Sequence, residues 1–256
     1  MAARSIDEYA LASLKAVLQP LLGLRLSWLS IPTRAVAGFE PSQLAVMANT
    51  LTDGALPQVD LLALDDSQAA ERLRSIGLGK AAGLIGERES YPDYVHEASG
   101  FRVELKGLFV DNPQLELKRP PTAREPSARL KENVTIEVVD AERDVLLVAA
   151  TQLRDIKGVC SPEIIDLGVF PVIDCVAARD KRLEASPGRW FGSVPKVLSL
   201  AGRKRLMAGF QVTQEDYEKD TNFGKLNRIP YPPLMSFITA HGYKTPQQRA
   251  WHGPIP

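Results

Sequence analysis

Pro92-Asp93, followed after ten residues by Glu104-Leu105-Lys106, is the part of this 256-residue sequence best equipped for chemistry. The stretch Phe101-Arg102-Val103-Glu104-Leu105-Lys106-Gly107-Leu108-Phe109-Val110 is rich in β-branched and aromatic residues and alternates apolar with polar in its first half, so it reads as a strand. Side chains alternate along a strand, which puts Glu104 and Lys106 on one face. Asp93 sits at a bend after a proline and converges on them if the two segments form a hairpin. Two carboxylates meeting at one point suit Mg²⁺, a hard ion that takes oxygen ligands and keeps positions for water and phosphate. A lysine beside them can position or deprotonate an attacking water, while the cation stabilises charge on phosphorus and the leaving oxygen.

A second match to the same pattern, Asp111 with Glu116-Leu117-Lys118, lacks these supports. Its gap leaves little room for a hairpin, and Lys118 runs into Arg119-Pro120-Pro121, where a central strand would lose ladder donors. The Gly77-Leu78-Gly79-Lys80 run lacks the spacing of a phosphate loop.

Pro92-Asp93 and Glu104-Leu105-Lys106, in that order and at a change from helical to strand-like sequence, resemble the PD-(D/E)XK nuclease superfamily, in particular its type II restriction endonuclease branch. The resemblance covers about residues 91–155. It implies an α/β fold with a central mixed β-sheet flanked by helices. It also implies an endodeoxyribonuclease hydrolysing phosphodiester bonds of double-stranded DNA with Mg²⁺, by direct attack of water and without a covalent intermediate. Asp93, Glu104 and Lys106 would be catalytic, with Asp93 and Glu104 as metal ligands. An acidic residue on the preceding helix often joins such a site; Glu87 is the candidate, with Glu89 behind it. A homodimer cutting both strands of a palindromic site is the implied assembly.

The elements that must position these residues are legible in outline. Residues 1–90 read as mainly helical, with helices expected at 5–19 behind a Ser5–Glu8 capping box, and at 41–51, 66–76 and 79–89. The α/β core is expected over about 91–185. Strands are expected at Val134–Val139 and Val145–Leu153, the latter apolar enough for a position covered on both faces. A turn separates them, and the apolar run Ile164–Val176 leads into a helix near 176–184. Residues 112–131 hold four prolines among many charges, including Lys118, Arg119, Arg124, Arg129 and Lys131. They read either as an arm around DNA or a partner, or as a surface insertion. One nuclease domain is expected over 1–245, with 246–256 a loose tail.

Charge sharpens the picture. The chain has 31 Lys plus Arg and 31 Asp plus Glu, yet residues 179–205 carry 8 basic and 2 acidic side chains, and 221–256 carry 4 basic and none acidic. Phosphate contacts dominate DNA affinity, so a DNA-contacting region is expected over about 179–245. Its candidates are Arg179, Lys181, Arg182, Arg203, Lys204, Arg205, Asn227 and Arg228. His96, near Asp93, reads better as a hydrogen-bonded structural residue. Two cysteines without metal-ligand spacing, an acidic N-terminus and no long apolar run point to a cytoplasmic protein without a membrane segment. The competing readings are a repair, recombination or structure-specific nuclease of the same fold, and a DNA-binding protein without catalysis.

Overall fold

The computed structural model describes residues 6–54, 67–81, 91–123, 125–131, 133–185 and 224–245. In chain order these form α1 (Glu8–Val17), β1 (Ile31–Pro32), α2 (Pro41–Asn49), α3 (Ser67–Ile76), β2 (Leu78–Lys80), β3 (Tyr94–His96), β4 (Arg102–Val110), β5 (Asp144–Ile156), β6 (Val159–Pro171), α4 (Val172–Ala185) and α5 (Pro232–Ala240). The strands make one mixed sheet in the order β1-β6-β5-β4-β3-β2, flanked by helices, so the chain is α/β. Among the described residues only β4 and β5 run parallel. A parallel pair cannot be closed by a tight turn, and residues 111–143 provide the crossover.

β5 holds the sheet together. Val145 to Ala150 are fully buried, since the sheet is covered on both faces here. Val145, Leu147 and Ala149 join Leu14, Leu18, Leu73, Ile76, Val103 and Leu105 beneath α1 and α3. Leu146, Val148 and Ala150 face the other way, toward Leu108, Leu130, Val134, Val176, Leu226, Leu234 and Ile238. The expectation of a doubly covered strand holds.

Local chemistry explains most boundaries. Asp7 is the N-cap of α1, its Oδ1 accepting from Ala10 N–H at 2.8 Å; the helix therefore starts behind a simple N-cap two residues after Ser5, which lies outside the described residues, and not behind the expected Ser5–Glu8 capping box. Pro41 opens α2, and Gln43 Oε1 accepts from Glu40 N–H at 2.8 Å. Gly77, at φ 69°, ends α3 where a side chain would be strained. Leu78–Lys80 is then a strand, not the start of the helix expected over 79–89, because it pairs antiparallel with β3; residues 82–90 lie outside the described residues. The strand expected at Val134–Val139 is also absent. Thr135 O accepts from the N–H groups of both Val138 and Val139 in a turn, while Val134 and Val139 are buried from that irregular backbone. β6 ends at Pro171 and α4 begins at Val172, four residues earlier than expected.

Leu147→Ala should leave a cavity at the centre of the sheet and cost about 2–5 kcal/mol; urea unfolding followed by circular dichroism measures the loss.

Candidate active site

β3 is too short to cover β4. Their ladder ends at the pair Tyr94 and Val103, so from Glu104 onward β4 has an outer edge with no strand beside it among the described residues. Asp93, the residue before β3, turns this edge into a site. Its carbonyl accepts from Ala81 N–H at 3.1 Å, and its Oδ2 accepts from Leu105 N–H at 2.8 Å. The carboxylate thus takes the position a strand carbonyl would have filled, and Asp93 is held from both sides.

Glu104 and Lys106 share the face of β4 that the alternation implies. Lys106 Nζ donates to Glu104 Oε1 at 2.5 Å and to Leu105 O at 3.1 Å, and lies 3.9 Å from Asp93 Oδ2. The three residues expected to form the site are together. Glu104 is only 5% exposed. Burial, reinforced by the Asp93 charge and opposed by Lys106, pushes its pKa up to about 7. In the ionised form its Oε2 has no hydrogen-bond partner among the described residues.

The base of the site is fixed by a buried network. Tyr91 follows the face of Glu104 and donates from its hydroxyl to Asp144 Oδ2 at 2.6 Å. Arg102 Nε pairs with Asp144 Oδ1 at 2.6 Å, and its guanidinium lies 5.8 Å from the Tyr91 ring centre. Asp144 begins β5, so this network couples the start of β4 to the start of its parallel neighbour. On the opposite face Gly107 permits a close approach: a Cβ there would lie 3.0 Å from Thr52 Oγ1 and 3.2 Å from Asn49 Oδ1. A larger residue after Lys106 would require the Thr52 and Asn49 side chains to give way by a few tenths of an ångström.

A cleft of about 390 Å³ opens along the free edge. Asp93, Leu105, Lys106 and Gly107 form one wall, and Ser127, Ala128, Arg129 and Lys131 from the proline-rich crossover form the other. The crossover is no loose insertion. Leu130 N–H donates to Gly224 O and Leu226 N–H to Ala128 O, a short ladder that pins it to the C-terminal part of the chain. Gly224, at φ 68°, is obligatory here, because a Cβ would lie 1.9 Å from Leu130 O.

Several expected DNA contacts are placed differently. Arg179 is 3% exposed, and its guanidinium donates to Lys131 O at 3.0 Å and Val134 O at 2.7 Å while pairing with Asp180 at 2.8 Å. Arg228 makes a two-pronged pair with Glu125, at 2.6 and 3.0 Å, and Asn227 is buried with its amide on Lys244 O at 3.2 Å. Reading these three as DNA contacts is therefore corrected: each serves an internal carbonyl or carboxylate. Lys181 is exposed on α4. The Arg182 side chain, Glu87, Glu89, Arg203, Lys204 and Arg205 lie outside the described residues. His96 is buried, with Nδ1 2.6 Å from Ser99 Oγ, a structural role as expected. In the second motif residues 111–118 form no strand, and Lys118 pairs with Glu40 in the open. Sequence reasoning missed Asn49 and Ser127 as cleft residues; the one signal for the far wall was Arg129-Leu130-Lys131, whose alternation sends the leucine to the core and the cations to the cleft.

The donor set fits a hard divalent cation. No group of three or more His, Cys, Asp or Glu side chains converges among the described residues, but Mg²⁺ is commonly held by one or two carboxylates plus water and substrate phosphate. Asp93 and the unpartnered oxygen of Glu104 supply two. Without metal, folded Glu104 keeps a proton between about pH 4.3, where an unfolded glutamate titrates, and about pH 7. Its contribution to stability is therefore complete at low pH and declines as pH rises toward 7. Urea unfolding of the metal-free protein between pH 5 and 8 should show this decline, and Glu104→Gln should flatten it.

Comparisons of the chain with protein-family models, with curated proteins and with solved structures find no match.

Proposed function

We propose that the chain is a Mg²⁺-dependent endodeoxyribonuclease that hydrolyses phosphodiester bonds in double-stranded DNA, of the restriction type and acting as a homodimer. One observation carries the reading: at the open edge of β4, Asp93 and Lys106 line one wall of a cleft whose other wall bears Arg129 and Lys131, and the buried Glu104 lies directly behind Lys106 at 2.5 Å. Nothing in the arrangement calls for a membrane, and no helix among the described residues is long and apolar enough to cross one.

Asp93 and Glu104 would hold the ion, which when bound supplies Lewis-acid stabilisation of the charge that builds on the phosphate. Lys106, 2.5 Å from Glu104 Oε1, offers its Nζ to a non-bridging phosphate oxygen or to the attacking water. Water adds to phosphorus, the phosphorus–oxygen ester bond to the leaving sugar breaks, and the proton lost by water is balanced by the one the leaving alkoxide takes up. Glu104 is only 5% exposed, so electrostatic interactions beside it are less screened than in open water. Arg129 and Lys131 lie where the flanking backbone of the same strand would run.

Asp93→Asn keeps an oxygen for Leu105 N–H while removing the charge, and Lys106→Met keeps the apolar stem. Each should retain the fold and lower Mg²⁺-dependent cleavage of unmethylated phage DNA by at least about 10²–10³-fold. End sequencing of the fragments reads the finer assignment: discrete ends support a restriction enzyme, whereas cutting confined to branched or single-stranded DNA moves the activity to a structure-specific nuclease. Full activity in either variant overturns the site.

A further inference from the structure

The crossover segment 127–131 has the construction of a substrate-holding wall rather than of a loop that merely closes the topology. It crosses the mouth of the cleft and is clamped at several points from behind. Arg179 reaches its carbonyl groups from α4, donating to Lys131 O at 3.0 Å and to Val134 O at 2.7 Å. Glu125, a few residues before it, is held by Arg228 at 2.6 Å and Lys225 at 3.2 Å. Leu130 is fully buried between them, and its N–H is bonded to Gly224 O. Arg179, Arg228 and Lys225 thus serve as internal ties, and the half-buried Arg129 and Lys131, on either side of Leu130, line the cleft opposite Asp93 and Lys106.

We infer that Arg129 and Lys131 grip successive backbone phosphates of the strand presented to Asp93, Glu104 and Lys106, and that they do so without reading bases. The inference rests on the nuclease reading for the chemistry, but only on the cleft for the binding. Two cations spaced by one residue on an extended segment stand about 6–7 Å apart, comparable with the spacing of neighbouring phosphates along an extended strand. Mounting them on a clamped backbone removes most of the ordering cost that a mobile arm would incur on binding. Ser127, on the same wall, adds a neutral hydroxyl, and the opposite wall carries the carboxylate of Asp93, so the cleft is polarised: anionic where a cation would sit and cationic where a phosphate backbone would lie. Phosphate contacts of this kind set register and orientation, leaving sequence reading to residues elsewhere.

The test uses the full chain with Arg129→Gln, Lys131→Gln and the double variant, and Arg34→Gln, on the segment after β1 at the opposite edge of the sheet, as a matched loss of charge. Binding of fluorescent oligonucleotide duplexes of several unrelated sequences is measured in Ca²⁺ across a salt series, and cleavage kinetics in Mg²⁺. Each single variant should weaken binding of every duplex to a similar degree and reduce the slope of log affinity against log salt by about one, the double variant by about two. KM should rise roughly tenfold or more in the double variant with kcat within about threefold, while Arg34→Gln leaves both unchanged. Thermal melting within a few degrees of the parent shows that the wall is intact. Unchanged affinity and salt slope in the double variant overturns the inference, as does a loss confined to one sequence, which would make these residues base readers. The two readings fail separately. A parent protein that binds duplexes through Arg129 and Lys131 but cuts none removes the nuclease and keeps the grip, whereas cutting that is indifferent to both substitutions removes the grip alone. A parent protein that binds no duplex removes the grip outright.

Discussion

The hydrogen bond from Leu105 N–H to the Asp93 carboxylate is the contact on which the site depends. A strand that outruns its neighbour exposes main-chain donors and acceptors, and an exposed edge is a template for unwanted pairing. Here the ladder between β3 and β4 ends on a charge in place of a carbonyl. The same carboxylate is thereby aimed along the edge it caps, beside Lys106, while its own carbonyl is tied to Ala81. Edge protection and placement of an acidic group are one device, and the Gly107 contact with α2 fixes β4 from its other face.

Glu104 shows the energetic tension of the site. A carboxyl removed almost wholly from water strongly favours its neutral form, and the nearby charge of Asp93 pushes in the same direction. Lys106 offsets part of this through a 2.5 Å contact. The remaining oxygen is left without a donor among the described residues, an arrangement that costs stability unless a cation completes it. Strain of this type concentrates where groups are arranged for function rather than for folding.

Legibility from sequence followed the range of the forces involved. β4 and β5 were readable because alternation and a continuous apolar run are properties of neighbouring residues, and the convergence of Asp93 with Glu104 and Lys106 followed from a hairpin only a few residues long. Val134–Val139 misled because valine enrichment records burial, and here turns achieve the burial without pairing. Leu78–Lys80 escaped notice because a strand of three residues is too short to show a period. The cations were the hardest case. Counting them located a basic region but could not say which way each one faced. Arg179 and Arg228 found partners at Lys131, Val134 and Glu125, far away in sequence, and became internal ties. Only the pattern around Leu130 carried a local clue to Arg129 and Lys131.

The contact between Gly224 and Leu130 gives the molecule an order of assembly. The crossover can be closed only by backbone that emerges from the ribosome almost a hundred residues later, after both long strands β5 and β6 and helix α4. Until then Arg129 and Lys131 have no fixed relation to Asp93, even though β3 and β4 have already been made. The segments that carry Asp93, Glu104 and Lys106 therefore precede in synthesis the segment that closes the cleft, whose bonds to Leu130 and Ala128 come from Gly224 and Leu226.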